Sequence, residues 1–397
     1  MRDVVVVGGS NSLMGKGWSG KFLDLYGDGI SFRNFSIGAA TSLMGIYRMK
    51  RGDIPEGATV LWEYALNESN HLRAGQSCES LLHHLDWFME TARRRNIRVL
   101  PLQFWNRPEL ASEAPNDYRL ALHDRLAAYG LRQIDARKLS GRFAAEAGVD
   151  VAALYLDDMH YGVDTGFLDG LVRLIADRLD DAAVPQAVPR LRDAELDLCR
   201  PDGPSGRFET SVFQADTYPL NGEGLSIAAQ GNLLASFVIA GDEGGAVTVS
   251  ADGERIGTYS LQAAGLKPQV RIFKHLVHWK SAGDLRPVRS SLSLSAVRLA
   301  ARPIVQNMYK WNEASAQAAR SDEYVCALIE RDINSATCPN RPSLRWQDPW
   351  PPANAYGPAL RVPQDLAGWL RAKRHSASAK SAISFSVSGW SRSPTSG

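Results

Sequence analysis

An α/β fold, a parallel sheet with helices on both faces, followed by a β-rich region, is what this sequence predicts. Three observations predict it. Val4-Val5-Val6-Val7 is a continuous apolar run of the kind buried on both faces of a parallel sheet. Through the first half of the chain, strand-like runs alternate with helical periodicity, as in a sheet crossed over by helices. Near residue 183 that alternation stops, and after Pro185, Pro189, Pro201 and Pro204 short strand candidates follow one another.

The elements follow in order. After the first strand, strands are expected at Ile30–Phe35 and Thr59–Tyr64. Ser77–Arg95 reads as a helix because Leu81, Leu82, Leu85, Phe88, Met89 and Ala92 recur at helical spacing. Ile97–Gln103 is the fourth strand. Asp117–Tyr129 is a helix stopped by Gly130 and followed by a short strand at Leu131–Asp135. Thr165–Leu179 is a helix with Phe167, Leu168, Leu171, Leu174 and Ile175 on one face. In the β-rich part the strand candidates are Phe208–Phe213, Leu233–Ala240, Ala246–Ser250, Arg255–Leu261, Val270–Phe273 and Ser291–Leu299, and Asp252-Gly253 is a hairpin signal. A β-sandwich or jelly roll fits that spacing. The expected division is 1–183 α/β, 184–206 linker, 207–302 β-sandwich-like, 303–372 a mixed extension with a helix at Asn312–Ala319, and 373–397 a disordered Ser-rich tail.

Composition narrows the partners. The 397 residues are 44% apolar and 22% charged with a net charge of +2, the make-up of an ordinary globular protein. That charge is too small to imply nucleic acid or a membrane surface; Arg93-Arg94-Arg95 suits a helix C-terminus, and Lys373-Arg374 is the other local basic group. Cys78, Cys199, Cys326 and Cys338 have no CxxC spacing, so neither a metal site nor a disulfide framework is expected, and a Cys326–Cys338 pair is weighed below free thiols. No apolar leader precedes Val4 and no run approaches transmembrane length, which places the expectation in the cytoplasm. The oligomeric state is left open.

Gly8-Gly9-Ser10-Asn11-Ser12 puts a serine hydroxyl at the carboxyl edge of the first strand, the edge where open α/β sheets hold their sites. Gly-Ser turns are common, so the serine needs partners. His160 is the candidate base, in Asp157-Asp158-Met159-His160-Tyr161-Gly162. An Asp three residues before a His can fold back onto Nδ1–H and leave Nε2 for Ser10. Asp158 competes for that role, and a plain surface loop is the bland reading. Asn67, at the end of Trp62-Glu63-Tyr64-Ala65-Leu66-Asn67-Glu68, can aim its amide at an oxyanion or simply cap a helix. The Gly38-Ala39 loop after Asn34-Phe35-Ser36-Ile37 offers a backbone donor or an ordinary turn. Trp105 and Arg107 follow the fourth strand at the same edge and are candidates for a substrate pocket, with a helix-entry loop at Pro108 as the alternative. His83 and His84 are expected at the solvent margin of their helix. His275, His278 and Trp279 are spaced like a strand face and give no metal site.

Taken together, Gly8–Ser12, Asn34–Ser42, Ala65–Glu68 and Asp157–His160 resemble, in order, the sequence blocks of the SGNH (GDSL-like) hydrolases. The resemblance covers residues 1–182. It implies a three-layer, flavodoxin-like domain in which Ser10 is the nucleophile, His160 the base and Asp157 its orienting acid, with the Ser10 N–H, the Gly38-Ala39 loop N–H and the Asn67 side chain as the oxyanion hole. No cofactor or metal is implied. Gly9 stands where the family has Asp, Ala39 where it has Gly, and Ala65 and Glu68 flank Asn67 in place of Gly and Asp. A small-molecule or carbohydrate ester, acetyl above all, is the expected substrate. The rivals are a sugar O-acyltransferase with the same triad and a catalytically silent glycan-binding protein.

Overall fold

The computed structural model describes residues 2–112, 115–202, 206–210, 213–220, 224–264, 270–297, 302–314 and 322–333. Strands β1 (Arg2–Gly8), β2 (Ile30–Asn34), β3 (Thr59–Glu63), β4 (Arg98–Gln103) and β5 (Ile134–Asp135) pair in parallel in the order β2-β1-β3-β4-β5. This is the flavodoxin-like order, and its reversal point lies beside β1 and β3. Val4 to Val7 are fully buried at its centre, and each large apolar side chain so placed contributes roughly 1.5–3 kcal/mol.

The helices are α1 (Ser10–Leu13), α2 (Trp18–Tyr26), α3 (Ser42–Lys50), α4 (Ala65–Arg73), α5 (Cys78–Arg94), α6 (Arg107–Ala111), α7 (Asp117–Ala128), α8 (Ala136–Ala147) and α9 (Phe167–Asp177). Helices α2, α8 and α9 pack together, as do α3, α4, α5 and α7. Ser77 caps α5 by accepting the Ser80 N–H at 3.1 Å. The sequence reading passed over α1, α2, α3 and α8. In α3 every residue from Ser42 to Met49 is buried, so it has no polar face to reveal a helical period.

The second region is built from β6 (Ala194–Cys199), β7 (Gly206–Glu209), β8 (Gln214–Pro219), β9 (Leu225–Ala228), β10 (Gly231–Gly241), β11 (Ala246–Ala251), β12 (Glu254–Ser260), β13 (Gln262–Ala263), β14 (Arg271–Val277), β15 (Pro287–Val288), β16 (Ser291–Val297), β17 (Tyr309–Lys310) and β18 (Glu323–Asp332). One sheet runs β17-β13-β10-β18-β8-β7, with β14 and β15 on β10 and β6 on β18; the other runs β12-β11-β16-β9. A core containing Val238, Val247, Leu261, Leu276, Leu294 and Tyr324 takes residues from both sheets. Asp252 and Gly253, at φ 49° and 86°, turn the β11–β12 hairpin as expected.

Three expectations are corrected. The stretch 184–206 is no mere linker, because β6 pairs antiparallel with β18 from Ala194↔Asp332 to Cys199↔Ala327. Within the segment from 303, Glu323–Asp332 is a regular strand, since β18 lies between β10 and β6 and is buried from Tyr324 to Glu330. Of the prolines that read as linker punctuation, Pro189 opens a 3-10 turn over Pro189–Leu191 and Pro201 follows the end of β6. His83 and His84, expected at a solvent margin, are 1% and 0% exposed. The outer face of α5 is covered by the second region: His83 Nε2 lies 2.6 Å and Trp87 Nε1 2.7 Å from Glu330 Oε2. Most of the helix expected at Asn312–Ala319, together with Cys338, the Pro/Trp-rich segment and the Ser-rich tail, lies outside the described residues.

The regions share one core. It runs from Leu43, Tyr47, Trp87 and Phe88 to Phe213, Phe237, Phe273 and Val325. The Tyr47 ring sits 4.7 Å from Phe237 and 4.9 Å from Phe273.

Candidate active site

The chain leaves β1 at Gly8 and enters α1 at Ser10, so the Ser10 hydroxyl sits at the carboxyl edge of the central strand. Space explains Gly9: a Cβ there would fall 2.1 Å from Asn67 Nδ2, with its backbone at an unstrained φ of −94°. An aspartate at that position would collide with Asn67. The turn is held from below by Glu63, whose Oε2 accepts the Gly9 N–H at 3.1 Å and the Ser12 hydroxyl at 2.8 Å. Burial pushes the Glu63 carboxyl up to about 7, against the pull of those two bonds and of Arg119.

His160 reaches this turn from the loop before α9. Its Nε2 is 2.8 Å from Ser10 Oγ, and its Nδ1 is 2.8 Å from Asp157 Oδ2. Asp157 Oδ1 also accepts the N–H groups of Met159 and His160, at 2.7 and 2.9 Å. Its slight burial works against ionisation, but the bonds from His160 and Met159 hold its carboxyl below the usual carboxylate range. Asp158 points elsewhere and pairs with Arg107. The geometry therefore puts Asp157, not Asp158, behind the imidazole.

Asn11 was not singled out from sequence, although it follows Ser10 directly. Its Nδ2 donates to Met159 O at 2.8 Å and its Oδ1 accepts the Tyr161 N–H at 3.1 Å, clamping the His160 loop to the serine turn. No sequence pattern announces that clamp beyond adjacency.

Asn67 lies within the first turn of α4 rather than at a strand end, because β3 stops at Glu63. Its Nδ2 donates to Ala40 O at 2.9 Å, which commits one of two amide protons and leaves the other for the space beside Gly9. Glu68, the next residue, accepts the Ser42 N–H at 2.8 Å at the start of α3. Ala39 has φ +55°, the left-handed region that glycine adopts without strain. Trp105 does not line an open pocket. It is 4% exposed, with Nε1 on Asp135 Oδ1 at 2.8 Å and the guanidinium groups of Arg119 and Arg137 over its ring at 4.3 and 5.1 Å. Arg107 is half-exposed at the same edge.

No family model matches the chain, and no curated protein matches it in sequence. Among solved structures, a two-domain esterase active on acetylated mannans is similar over 83% of this chain and 91% of its own, with a TM-score of 0.52 and 10% identity. The same esterase with mannopentaose gives a TM-score of 0.54 at 11% identity. A lipolytic G-D-S-L family member from Veillonella parvula covers 44% of this chain and 97% of its own, with a TM-score of 0.36 and 14% identity. The likeness to the two-domain esterase shows the fold: it extends past the α/β region into the β-rich region, so a flavodoxin-like α/β domain followed by β-sheets is a shared architecture. Among the described residues no cluster of His, Cys, Asp and Glu is arranged to hold a metal ion, and no helix is long and apolar enough to cross a membrane.

Proposed function

We propose that this protein is a serine esterase that removes an acyl group, acetyl above all, from a carbohydrate ester. The observation that carries the reading is the relay from Ser10 Oγ through His160 to Asp157, with 2.8 Å at each step. In it Ser10 Oγ attacks the ester carbonyl carbon while its proton passes to His160 Nε2. The Ser10 and Ala39 N–H groups and the Asn67 amide stabilise the oxyanion. The tetrahedral species collapses, the sugar oxygen takes the proton from His160, and acyl-Ser10 remains. Water then attacks, gives its proton to His160, and releases the carboxylic acid as Ser10 is reprotonated. Asp157 holds the tautomer that keeps Nε2 free, and no metal or cofactor enters.

The substrate class rests on likeness: the two-domain neighbour acts on acetylated mannans and was crystallised with mannopentaose. The test is labelling by a fluorophosphonate probe together with acetate release from acetylated manno-oligosaccharides. Wild-type protein is expected to label and to release acetate, and Ser10→Ala to lose both by at least about 10³-fold. Wild-type protein that neither labels nor cleaves a short acyl ester sinks the reading. Acyl release that rises with added sugar acceptors would reassign the second step to acyl transfer.

A further inference from the structure

Three successive carbonyl groups in the Gly38–Ala40 loop each accept a side-chain bond. Lys274 Nζ donates to Gly38 O at 3.1 Å, His71 Nε2 meets Ala39 O at 3.2 Å, and Asn67 Nδ2 donates to Ala40 O at 2.9 Å. The next residue, Thr41, meets His275 Nε2 through its hydroxyl at 3.2 Å. Lys274 and His275 belong to β14, in the β-rich region. Nothing in the α/β fold requires this reach from the other half of the molecule.

The geometry of one peptide group gives the contact its meaning. The Gly38–Ala39 peptide is trans and planar, so its C=O and N–H point in opposite directions. Drawing Gly38 O onto Lys274 aims the Ala39 N–H away from β14. The loop is tied to the serine turn on its other side, by the Ile37 N–H on Gly8 O at 3.1 Å and by Asn67, which touches both Ala40 and the space over Gly9. Ala39 pays about 1–2 kcal/mol for its left-handed backbone, so this peptide does not hold its orientation unaided. Lys274 is also an unusual choice for a packing residue. It is 4% exposed, and no carboxylate pairs with it among the described residues. An apolar side chain would cost the fold less than a buried ammonium.

We infer that Lys274 is a positioning residue, reaching from the β-rich region to fix the Gly38–Ala39 peptide so that the Ala39 N–H is presented to the oxyanion formed at Ser10. The inference rests on the esterase reading above. It makes β14 a component of the active site rather than part of an appended module. Burial lowers the Lys274 ammonium to about 8. The titratable groups facing it are His71 from α4, lowered by burial to about 4, and His275 from its own strand, held well below the usual histidine range. Its cross-strand neighbour on β10 is Val238, and the Gly38–Ala40 segment carries no charge. Lys274 therefore loses its proton as pH rises through about 8, and a neutral amine is the weaker donor.

The test is full-length Lys274→Met, assayed for kcat and KM on a short acetyl ester from pH 6 to 9.5, beside a thermal melt. The expected result is a kcat roughly tenfold to a hundredfold lower, less than the 10²–10³ lost on deleting an oxyanion donor outright. KM should stay within about twofold and the melting temperature should not fall, because Met keeps the volume and removes a buried charge. The alkaline decline of wild-type kcat near pH 8 should be absent from the variant. A variant with wild-type kcat overturns the inference, and so does a lower kcat that keeps the alkaline decline. If Lys274→Met does not fold, the wild-type profile decides: a decline through pH 8 supports the inference, and a flat profile from pH 7 to 9 overturns it. An inactive, unlabelled wild-type protein removes the esterase reading itself, and the inference with it; active wild type with an indifferent variant removes the inference alone.

Discussion

The serine edge of the α/β domain and the seam between that domain and the β-sheets treat charged groups in opposite ways. At the edge, the Asp157 and His160 side chains are 53% and 27% exposed. At the seam, His83 and Glu330 are 1% and 2% exposed and bonded to each other. Arg190 Nη1 lies 2.8 Å from His83 Nδ1, and a guanidinium can only donate, so Nδ1 accepts and the proton sits on Nε2 facing Glu330. Burial opposes ionisation of Glu330, but His83 and Trp87 hold its carboxyl below the usual range. The contrast separates two tasks. The groups proposed to exchange protons with substrate stay where water and ligand reach them, while the buried pair joins the two regions.

The largest effect on stability should come from breaking the seam. Glu330→Ala leaves His83 and Trp87 without their shared acceptor in a dry interior, at an expected cost of about 3–5 kcal/mol. Urea unfolding followed in both regions should show one transition moved to lower denaturant, because a single core spans them. A loss under about 1 kcal/mol, or two separate transitions, would mean that the regions are independent and the seam is only a contact.

The edge should show the reverse pattern, with activity lost and stability kept. Asp157→Asn is expected to lower kcat/KM by about 10⁴-fold, since Asn can donate to Nδ1 and favour the wrong tautomer. Asp158→Asn, which touches only the exposed Arg107, should stay within about threefold. Neither should change unfolding free energy by more than about 0.5 kcal/mol, as expected for exposed positions. Equal effects of the two substitutions would contradict the pairing of Asp157 with His160.

The same contrast explains what was legible in sequence. The edge was readable because its signals are local: the Val4–Val7 run, the serine just after it, and an aspartate three residues before a histidine. Even so, spacing favoured Asp157 without excluding Asp158, and it is the His160 bond to Asp157 together with the Arg107 contact of Asp158 that separates them. The seam was not readable, because its bonds join residues far apart in the chain, 247 positions between His83 and Glu330 and 236 between Gly38 and Lys274. An amphipathic helix shows which residues are polar, not whether a second region will cover them, so His83 and His84 read as surface. Strand β18 was hidden for a similar reason, since its central place depends on β6 and β10, both distant in sequence. Helix α8 was legible in part: it ends at Gly148 in the left-handed conformation, an ordinary stop signal that the reading passed over.

Glu63 crosses the comparison, being a buried carboxylate at the exposed edge, and it gives the smallest expected effect. Its pKa stands at about 7 in the folded protein against an ordinary 4.5. A carboxyl raised on folding binds its proton more tightly in the native state. Its stabilising contribution is therefore complete below about pH 4.5 and is lost as pH rises through 7. Between pH 5 and pH 7 that shift removes about 2 kcal/mol of stability. Glu63→Gln keeps an oxygen for the Gly9 N–H and the Ser12 hydroxyl while removing the titration. The variant should match wild type near pH 5, exceed it by about 2 kcal/mol at pH 7, and retain kcat within a few-fold. Denaturant unfolding at the two pH values is the measurement. A pH slope unchanged by the substitution would mean that Glu63 stays ionised beneath the serine turn, and the turn would then be supported by charge rather than by an accepting oxygen alone.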